Sequence, residues 1–499
     1  MSERQNIENK SSRQDDFFIN EQQPKMISKT YLQKQPSNMK YPLIILFALT
    51  IQSLFSQETS LSDEYKKETI EKLSVLIQDF YIYPDIAKKT SEHLYKQYEA
   101  GYFDKYKDNE TFATVLTESV QSVNKDKHMR IMSNKPYTAP QNTLEAKSAH
   151  RMGQINNYRS INHGFTELKM LEGNVAYLDL RMFAPMDRAK EMADAYMKLL
   201  SLSDAVIIDL THNGGGDPSM VQYLCSYFFD KKLHLNSLYY REGDRTEEFW
   251  TLEKVGGKKM VDIPLFIMIG EETFSGAEEF SYNMQTQKRA TLIGQTSAGG
   301  ANSGGTRGIN EHLSVFIPTG RAINPITNTN WEGVGVQPDI PTKKEETFDQ
   351  ALKLAQKAAD ALRKNKLETY IQLQQNLNQH LEHYKQGESE INISTSIKKL
   401  VDSGLFGEWD INTLGYKYLT ELNKPEMGLC ILKSNTIHFP NSPNVFDSYG
   451  EALKINGDMT AALESYQKAV DIATENNDKN LTYYKETLQK IKNEINTDK

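Results

Sequence analysis

Cysteine is nearly absent from this chain, whose 499 residues include only Cys225 and Cys430. The two lie far apart, and neither has metal-ligand spacing around it. The sequence therefore predicts neither a disulfide framework nor a cysteine-ligated metal site. Positive charge is not in excess either, since the formal net charge is -8 and the pI is about 5.8. That balance argues against nucleic acid as a partner.

Long hydrophobic runs are also missing. The most apolar stretch lies within residues 39–56, where a lysine precedes a short apolar run that ends at small and polar residues. This is the layout of a secretory signal peptide and is too short for a comfortable membrane span, although a single N-terminal anchor helix is the alternative. Residues 1–38 are polar and without periodicity, which predicts disorder and makes Met39 a candidate true start. We expect an exported protein, whether periplasmic, envelope-associated or secreted.

The rest of the chain divides by its patterns into five segments. Helical spacing of apolar residues predicts an N-terminal helical module over 57–132, followed by a linker over 133–165. An α/β core is predicted over 166–345, a helical connection over 346–410, and helical repeats over 411–499.

Strands and helices alternate through the core. Apolar runs predict strands at 174–180, 205–210, 265–269 and 290–294, with helical patterns at 189–200, 218–229 and 277–284 between them. This order implies right-handed crossovers and a largely parallel sheet. Residues 296–340 are rich in turns and predict further β structure, and a helix is expected from about 345 to 364.

Two strand ends carry the candidate chemistry. Ser275 follows the strand 265–269 and opens a helix, and the glycine turn Gly214–Gly216 follows the strand 205–210. Sites in parallel sheets form off the carboxyl ends of the strands, so we expect the two to converge. Ser275 is placed to be a nucleophile, and an ordinary N-cap is the alternative interpretation.

Four segments in this order resemble the serine peptidases of the C-terminal-processing (tail-specific) protease family. They are Asp209-Leu-Thr-His-Asn-Gly-Gly-Gly216, Thr273-Phe-Ser-Gly-Ala-Glu278, Gly294-Gln-Thr-Ser-Ala-Gly-Gly300 and Glu332-Gly-Val-Gly-Val-Gln-Pro-Asp339. The nearest branch looks like that of the tricorn core protease and interphotoreceptor retinoid-binding protein. The resemblance spans roughly 60–345 and implies a ClpP/crotonase-like core. It implies Ser275 as nucleophile, with an oxyanion hole of backbone N–H groups from Gly276, Gly215 and Gly216.

The base departs from that of the bacterial processing proteases. Gly300 stands near the place where they carry a lysine, so a Ser–Lys dyad is not expected. The tricorn-like branch takes a histidine from its N-terminal module, which implies His128 as general base. Glu332 matches the acidic position of the family and would orient His128 or stabilise its charged form. Lys127 stands where the tricorn pattern has a relay serine, so direct contact, another hydroxyl or water are all open.

Several alternatives accompany this interpretation. His212 is a rival base beside the glycine turn, whereas Glu278 and Glu279 are expected to be helix-dipole partners. The expected substrate is a peptide or unfolded protein, without cofactor or metal. Residues 133–165 are too few for a substrate-capturing PDZ domain, so true tail specificity is open. A non-catalytic protein that binds an apolar ligand or peptide on the same fold is the alternative function.

A weak internal repeat lies near the C-terminus, at an offset of about 34–35 residues. Its second copy, residues 447–470, resembles a tetratricopeptide unit. Two repeats are few for a free-standing solenoid, so a capping element and a peptide-binding groove are both compatible with the pattern. A protein partner bound through these repeats is therefore a further possibility, and the oligomeric state is open.

Overall fold

A computed structural model describes residues 61–133, 143–385, 387 and 389–497. The disorder predicted for 1–38 and the signal peptide predicted for 39–56 lie outside the described residues. The α-helices of the described chain are α1 Asp63–Phe80, α2 Pro84–Glu99, α3 Asn109–Asn124, α4 Leu144–Ser160, α5 Met186–Leu200, α6 Pro218–Ser226, α7 Gly276–Thr286, α8 Thr347–Glu382, α9 Glu390–Asp402, α10 Glu408–Tyr416, α11 Pro425–His438, α12 Pro443–Ile455, α13 Met459–Glu475 and α14 Leu481–Thr497. The strands are β1 Arg130–Ser133, β2 Phe165–Leu171, β3 Val175–Leu180, β4 Ala205–Asp209, β5 His234–Tyr240, β6 Arg245–Trp250, β7 Leu265–Ile269, β8 Ala290–Gly294, β9 Gly304–Gly308, β10 Leu313–Pro318, β11 Gly320–Ile323 and β12 Ile340–Pro341.

A six-stranded sheet in the order β12-β8-β7-β4-β3-β2 forms the centre of the α/β core. Every neighbouring pair in it is parallel except β2 with β3. The prediction of an α/β fold with a largely parallel sheet is therefore confirmed. The antiparallel edge strand β2 was not predicted from the sequence.

Apolar side chains cover both faces of this sheet. Because side chains alternate along a strand, Leu178 and Ile208 enter the core formed with α5, α6 and α7, whereas Val175 and Ile207 face the other way. There they meet the alanines of α8, spaced four residues apart at 351, 355 and 359 and all fully buried. Small residues at this spacing let the helix lie close against the sheet.

The N-terminal helices are confirmed as α1, α2 and α3, and they share one core with a β-hairpin. β1 pairs antiparallel with β10, and β10 pairs with β9. Side chains of the hairpin, including Leu313 and Val315, are buried among those of α1 to α3. The helical module is thus joined to the 304–318 segment by backbone hydrogen bonds as well as by apolar packing.

Two segments differ from the predictions. The stretch 133–165, expected to be a linker, contains α4, a helix without a single buried residue among those described; its sequence lacks an amphipathic pattern for that reason. α8 runs to Glu382 instead of ending near 364. Its first half packs on the sheet, and Leu377 and Leu381 are buried in the next helical cluster. The polar, exposed stretch between these halves resembled a helix end.

Residues from α9 onward form a stack of helices. α12 and α13 are antiparallel neighbours joined by a turn in which Gly457 has a φ of 87°. At the crossing, a Cβ on Gly450 would lie 3.1 Å from the Tyr466 ring, so a small residue is needed there. Across the part of the chain that the structure describes, no helix is both long and apolar enough to cross a bilayer.

Candidate active site

A cavity of about 460 Å³ opens at the carboxyl ends of β4 and β7. It brings together Ser275, His128, Gly216 and Gly276, which the sequence places in three separate regions. The remaining walls come from α7, β5, the 300–304 segment, β10, β11 and the residues around Trp331; they include Leu238, Tyr240, Glu279, Asn302, Phe316 and Ala322.

Ser275 occupies a strained backbone conformation. Its φ is 56° and its ψ is -120°, a region that residues with a side chain adopt rarely and at a cost of about 1–3 kcal/mol. Ser275 is the N-cap residue of α7, and its N–H donates to Glu278 Oε2 at 2.8 Å as in a capping box, but its backbone conformation is not that of an ordinary N-cap. The sharp turn instead leaves the hydroxyl group on the wall of the cavity, at the positive end of the helix dipole.

The glycine turn approaches Ser275 closely. Gly215 has a φ of 99°, and a Cβ there would lie 2.8 Å from the Ser275 Cβ and 2.7 Å from the Gly276 nitrogen. Gly216 has a φ of 145°, and a Cβ there would lie 2.1 Å from the Phe183 carbonyl oxygen. Only glycine fits at these two positions, because both conformation and space exclude a side chain.

Two of the three predicted oxyanion donors are free to act. The N–H of Gly215 already donates to Asn213 Oδ1 at 2.8 Å, which corrects its assignment to the oxyanion hole. The N–H groups of Gly216 and Gly276 have no backbone acceptor within the described chain. They are close together, since a Cβ on Gly276 would lie 3.1 Å from the Gly216 nitrogen. Two such N–H groups can stabilise a developing oxyanion.

Asn213 holds the glycine turn in place, a role that sequence reasoning missed. Its amide nitrogen donates to the Leu180 carbonyl at 2.8 Å, and its backbone carbonyl accepts from the Phe274 N–H at 3.0 Å. Asn213 therefore ties the end of β3, the glycine turn and the serine turn together. A buried asparagine directly before a glycine run is the only sequence signal of this.

His128 reaches the cavity from the loop between α3 and β1. Its ring lies 4.3 Å, centroid to centroid, from the ring of Phe274, the residue before Ser275, and it stacks on Phe316 at 5.9 Å. No hydrogen bond joins the ring to Ser275 among these described residues, and Nδ1 is buried without a partner. Burial, with the positive charge of Arg130, lowers the pKa of His128 to about 4. The imidazole is therefore neutral, the form that a general base requires.

Two carboxylates lie behind His128. Glu332, which was predicted, and Asp126, which was not, each have an oxygen within 4.8 Å of a His128 ring nitrogen and of each other. Asp126 Oδ1 lies 4.0 Å from Nδ1 and accepts the backbone N–H of His128 at 3.0 Å. Asn302 joins the two carboxylates, because its amide donates to Asp126 Oδ2 and its backbone N–H to Glu332 Oε2.

Both carboxylates have raised pKa values. Burial, followed by the negative charge of Asp126, raises the pKa of Glu332 to about 7, and burial also raises that of Asp126. Like charges this close are costly to ionise together, and with a pKa of about 7 the Glu332 carboxyl is partly protonated near neutral pH. The remaining negative charge is available to stabilise an imidazolium on His128.

In the described chain, Asp126, His128 and Glu332 are the group of side chains that could hold a metal ion. Donors of the protein already occupy much of it, because Asp126 Oδ2 accepts from Tyr81 and Asn302, and Glu332 Oε2 accepts from the N–H groups of Ala301 and Asn302. These contacts fit two carboxyl groups that are held by hydrogen bonds from the protein better than they fit a set of metal ligands.

Glu278 does more than complement the helix dipole. Its buried carboxylate accepts the N–H of Ser275 at 2.8 Å, the N–H of Gly299 at 2.6 Å, the N–H of Gly300 at 2.8 Å and the hydroxyl of Ser297. Burial raises the pKa of Glu278, while these donors act in the opposite direction. The carboxylate thereby fastens the serine turn to the 297–300 segment that passes beside His128.

The other sequence candidates lie outside the cavity wall. His212 is exposed, and its Nδ1 lies 2.9 Å from Glu272 Oε2. Lys127 donates through Nζ to the Ala298 carbonyl at 2.6 Å and so supports the 297–300 segment from outside. Neither residue lines the cavity that holds Ser275.

Comparison with known families agrees with this architecture. The family model described as peptidase family S41 matches residues 174–342. A second, described as the N-terminal domain of peptidase S41 in eukaryotic IRBP, matches residues 62–161. Together they match more than half of the chain, and they include Ser275, His128 and Glu332.

Solved structures with some similarity include a candidate peptidase from Parabacteroides merdae, at 14% identity, 58% of this chain, 96% of that chain and a TM-score of 0.43. The photosystem II D1 C-terminal processing protease shows 12% identity over 57% of this chain and 94% of its own, with a TM-score of 0.35. The tricorn protease shows 13% identity over 60% of this chain and 37% of its own, with a TM-score of 0.37. Since these scores are low, the assignment rests on the two family models: the chain belongs to peptidase family S41, a family of serine proteases.

Proposed function

We propose that this protein is an exported endopeptidase that cleaves peptides or unfolded proteins by acyl transfer, with Ser275 as nucleophile and His128 as general base. The observation that carries the proposal is the shared cavity. It combines a strained serine whose hydroxyl lies on the cavity wall, a neutral imidazole and two N–H groups without a backbone acceptor. A structural serine would need none of these three companions.

The chemistry follows the positions of the groups. His128 takes the Ser275 hydroxyl proton while Oγ bonds to the scissile carbonyl carbon, and the oxygen of that carbonyl becomes an anion held by the N–H groups of Gly216 and Gly276. The imidazolium then gives its proton to the leaving amine as the C–N bond breaks. Water, deprotonated by His128, hydrolyses the acyl-enzyme. Asp126 and Glu332 stabilise the imidazolium in both halves.

In this proposal the Ser275 hydroxyl turns toward the His128 ring as substrate binds, because no hydrogen bond joins the two side chains in the described chain. Catalytic hydrogen bonds are often long before a substrate binds. The alternative, an apolar-ligand carrier, would leave Glu279 and the N–H groups of Gly216 and Gly276 without a partner in the cavity wall. We further propose that the C-terminal helices, including α12 and α13, act as tetratricopeptide-like repeats that present a surface to substrate or partner.

The test compares Ser275→Ala with wild type in casein digestion and in labelling by a fluorophosphonate probe. We expect the variant to lose both and to keep the wild-type unfolding midpoint. The matched control, Ser122→Ala, removes an exposed hydroxyl on α3 and should behave as wild type. Casein digestion that survives Ser275→Ala would refute the proposal. A fluorescent fatty-acid titration on the same samples checks the carrier alternative.

Export needs a separate measurement. In a secreting host we expect the protein outside the cytoplasm with a new N-terminus after residue 56. A full-length cytoplasmic product would contradict this part of the proposal and leave the peptidase chemistry unaffected.

A further inference from the structure

Glu279 is a buried carboxylate in the cavity wall that the proposed mechanism does not use. It is 6% exposed and lies one helical turn beyond Ser275 on α7. Residues four apart share a helix face, so Glu279 and Asn283 lie in one row that leads away from the end of α7 that Ser275 precedes. At 1.5 Å per residue, the Cα atoms of Ser275 and Glu279 are separated by about 6 Å along the helix axis.

A second row faces it from β5. Alternate residues of a strand share a face, so Tyr240, Leu238 and Asn236 point the same way, and the first two line the cavity. Asn236 continues this row inward and is fully buried. The cavity beside Ser275 is therefore apolar at Leu238, and Asn236 lies behind this wall and not among the lining residues.

Two buried asparagines, one from each row, lack hydrogen-bond partners. Both polar atoms of the Asn236 side chain and both of the Asn283 side chain are buried without a hydrogen bond of ordinary geometry. Burial raises the pKa of Glu279 to about 7, the nearby Asn236 amide acts in the opposite direction, and no positive charge of the described chain figures among these influences. Buried carboxylates are normally paired, so this group is suited to a positive charge brought by a ligand.

We propose that Glu279 is the specificity-determining residue of this peptidase, and that the enzyme cleaves after lysine or arginine. The proposal rests on the proposed function. A long unbranched side chain attached to the attacked carbonyl would pass Leu238 and place its charged end beside Glu279. The Oδ1 atom of Asn236, which is next to Glu279 and has no hydrogen bond, would accept a further N–H group. Lysine and arginine combine the required length, apolar stem and donors.

The experiment uses fluorogenic peptides that differ only in the residue before the scissile bond. Lysine is compared with norleucine, which has the same stem without the ammonium group, and arginine with citrulline. Because removing one member of a buried charged pair is costly, we expect wild type to prefer each charged residue by about 100-fold in kcat/KM. In Glu279→Gln, both ratios should fall to about threefold or less. The matched control Glu272→Gln, an exposed carboxylate outside the cavity, should keep the wild-type ratios.

A binding measurement separates this proposal from the proposed function. Fluorescence anisotropy on Ser275→Ala requires no catalysis, and we expect lysine peptides to bind about 10-fold or more tightly than norleucine peptides, a difference lost in Ser275→Ala/Glu279→Gln. If wild type cleaves no peptide while Ser275→Ala still binds lysine peptides more tightly than norleucine peptides, the peptidase mechanism fails, and the assignment of Glu279 as the binding group for basic side chains stands. Equal kcat/KM for lysine and norleucine in wild type, or ratios that Glu279→Gln leaves unchanged, would overturn the assignment of Glu279.

Discussion

Replacing Glu278 by glutamine tests whether the active-site turn depends on a buried carboxylate. The change removes the charge and one acceptor oxygen and leaves the shape nearly unchanged. In the native chain Oε2 accepts from Ser275 and Gly300, while Oε1 accepts from Ser297 and Gly299. A glutamine has only one oxygen to offer, so one of these two sets must face an NH₂ group.

The orientation that glutamine adopts can be derived. An NH₂ group at the Oε2 position would face the backbone N–H groups of both Ser275 and Gly300. At the Oε1 position it would face the Ser297 hydroxyl, which can accept a hydrogen bond, and the N–H of Gly299, which cannot. The second orientation costs less, because it leaves one buried N–H group unsatisfied instead of two.

The expected loss of stability follows from these contacts. An unsatisfied buried donor costs about 1–3 kcal/mol, and hydrogen bonds that lose their charge assistance weaken further. Removing a buried charge returns part of this, since burial raises the pKa of Glu278. We expect a net destabilisation of about 2–4 kcal/mol for Glu278→Gln and more for Glu278→Ala, which removes both oxygens.

Urea unfolding and peptide cleavage provide the measurements. Glu278→Gln should unfold at a clearly lower urea concentration. Its kcat should fall by a larger factor than its KM changes, because the serine turn is no longer fixed against the 297–300 segment. Glu279→Gln is the matched stability control: the neighbouring buried glutamate has no such set of donors, so its neutralisation should not lower the midpoint. A Glu278→Gln protein within about 0.5 kcal/mol of wild type, with unchanged kcat, would refute this account.

Two further predictions concern the base and its surroundings. Because the pKa of Glu332 in the folded chain is about 7, above its ordinary value of 4.5, its contribution to stability is present below pH 4.5 and lost as the pH rises through 7. Glu332→Gln should therefore gain about 1–3 kcal/mol relative to wild type between pH 5 and pH 8 in thermal unfolding, and a constant difference would contradict the raised pKa. Gly300→Ala would place a Cβ 2.2 Å from the Phe274 ring and 2.7 Å from His128 Cε1. We expect Gly300→Ala to lose at least 100-fold in kcat/KM, because the imidazole of His128 is displaced. The control Gly305→Ala, where the added Cβ meets nothing within 4 Å, should cleave peptides at the wild-type rate. Equal activity of the two variants would contradict the crowding of His128.

Local patterns were sufficient to predict the four inner strands of the central sheet, β3, β4, β7 and β8, and their parallel direction. The strands at 265–269 and 290–294 have the predicted bounds, since continuous apolar runs mark strands that are buried on both faces. β5 was missed because its sequence, with Asn236 and Ser237 inside, resembles neither a fully buried nor an alternating strand. Both polar residues are buried, which local periodicity does not report.

The site was predictable in part, for a related reason. Ser275 and the glycine turn could be predicted because each follows the end of an apolar strand. His128 and Glu332 were predicted from the family resemblance. Asp126 gave no such signal, although it lies two residues before His128, because a carboxylate near a turn is most often a capping group. Its position beside Glu332 depends on Asn302, which is 176 residues away in sequence.

The decisive step that no local pattern could predict is the delivery of His128 to Ser275. Four residue pairs of one antiparallel ladder accomplish it: β1 begins two residues after His128 and pairs with β10, with Arg130 opposite Phe316. Phe316 then stacks on the imidazole, and Phe274 lies against it from the serine turn. The ladder fixes the backbone on one side of the ring and the two aromatic side chains fix its plane, so the imidazole position is set by β-sheet register. A register shift of one residue would turn the side chains of β1 to the opposite face. The N-terminal helical module could then fold without placing His128 in the cavity.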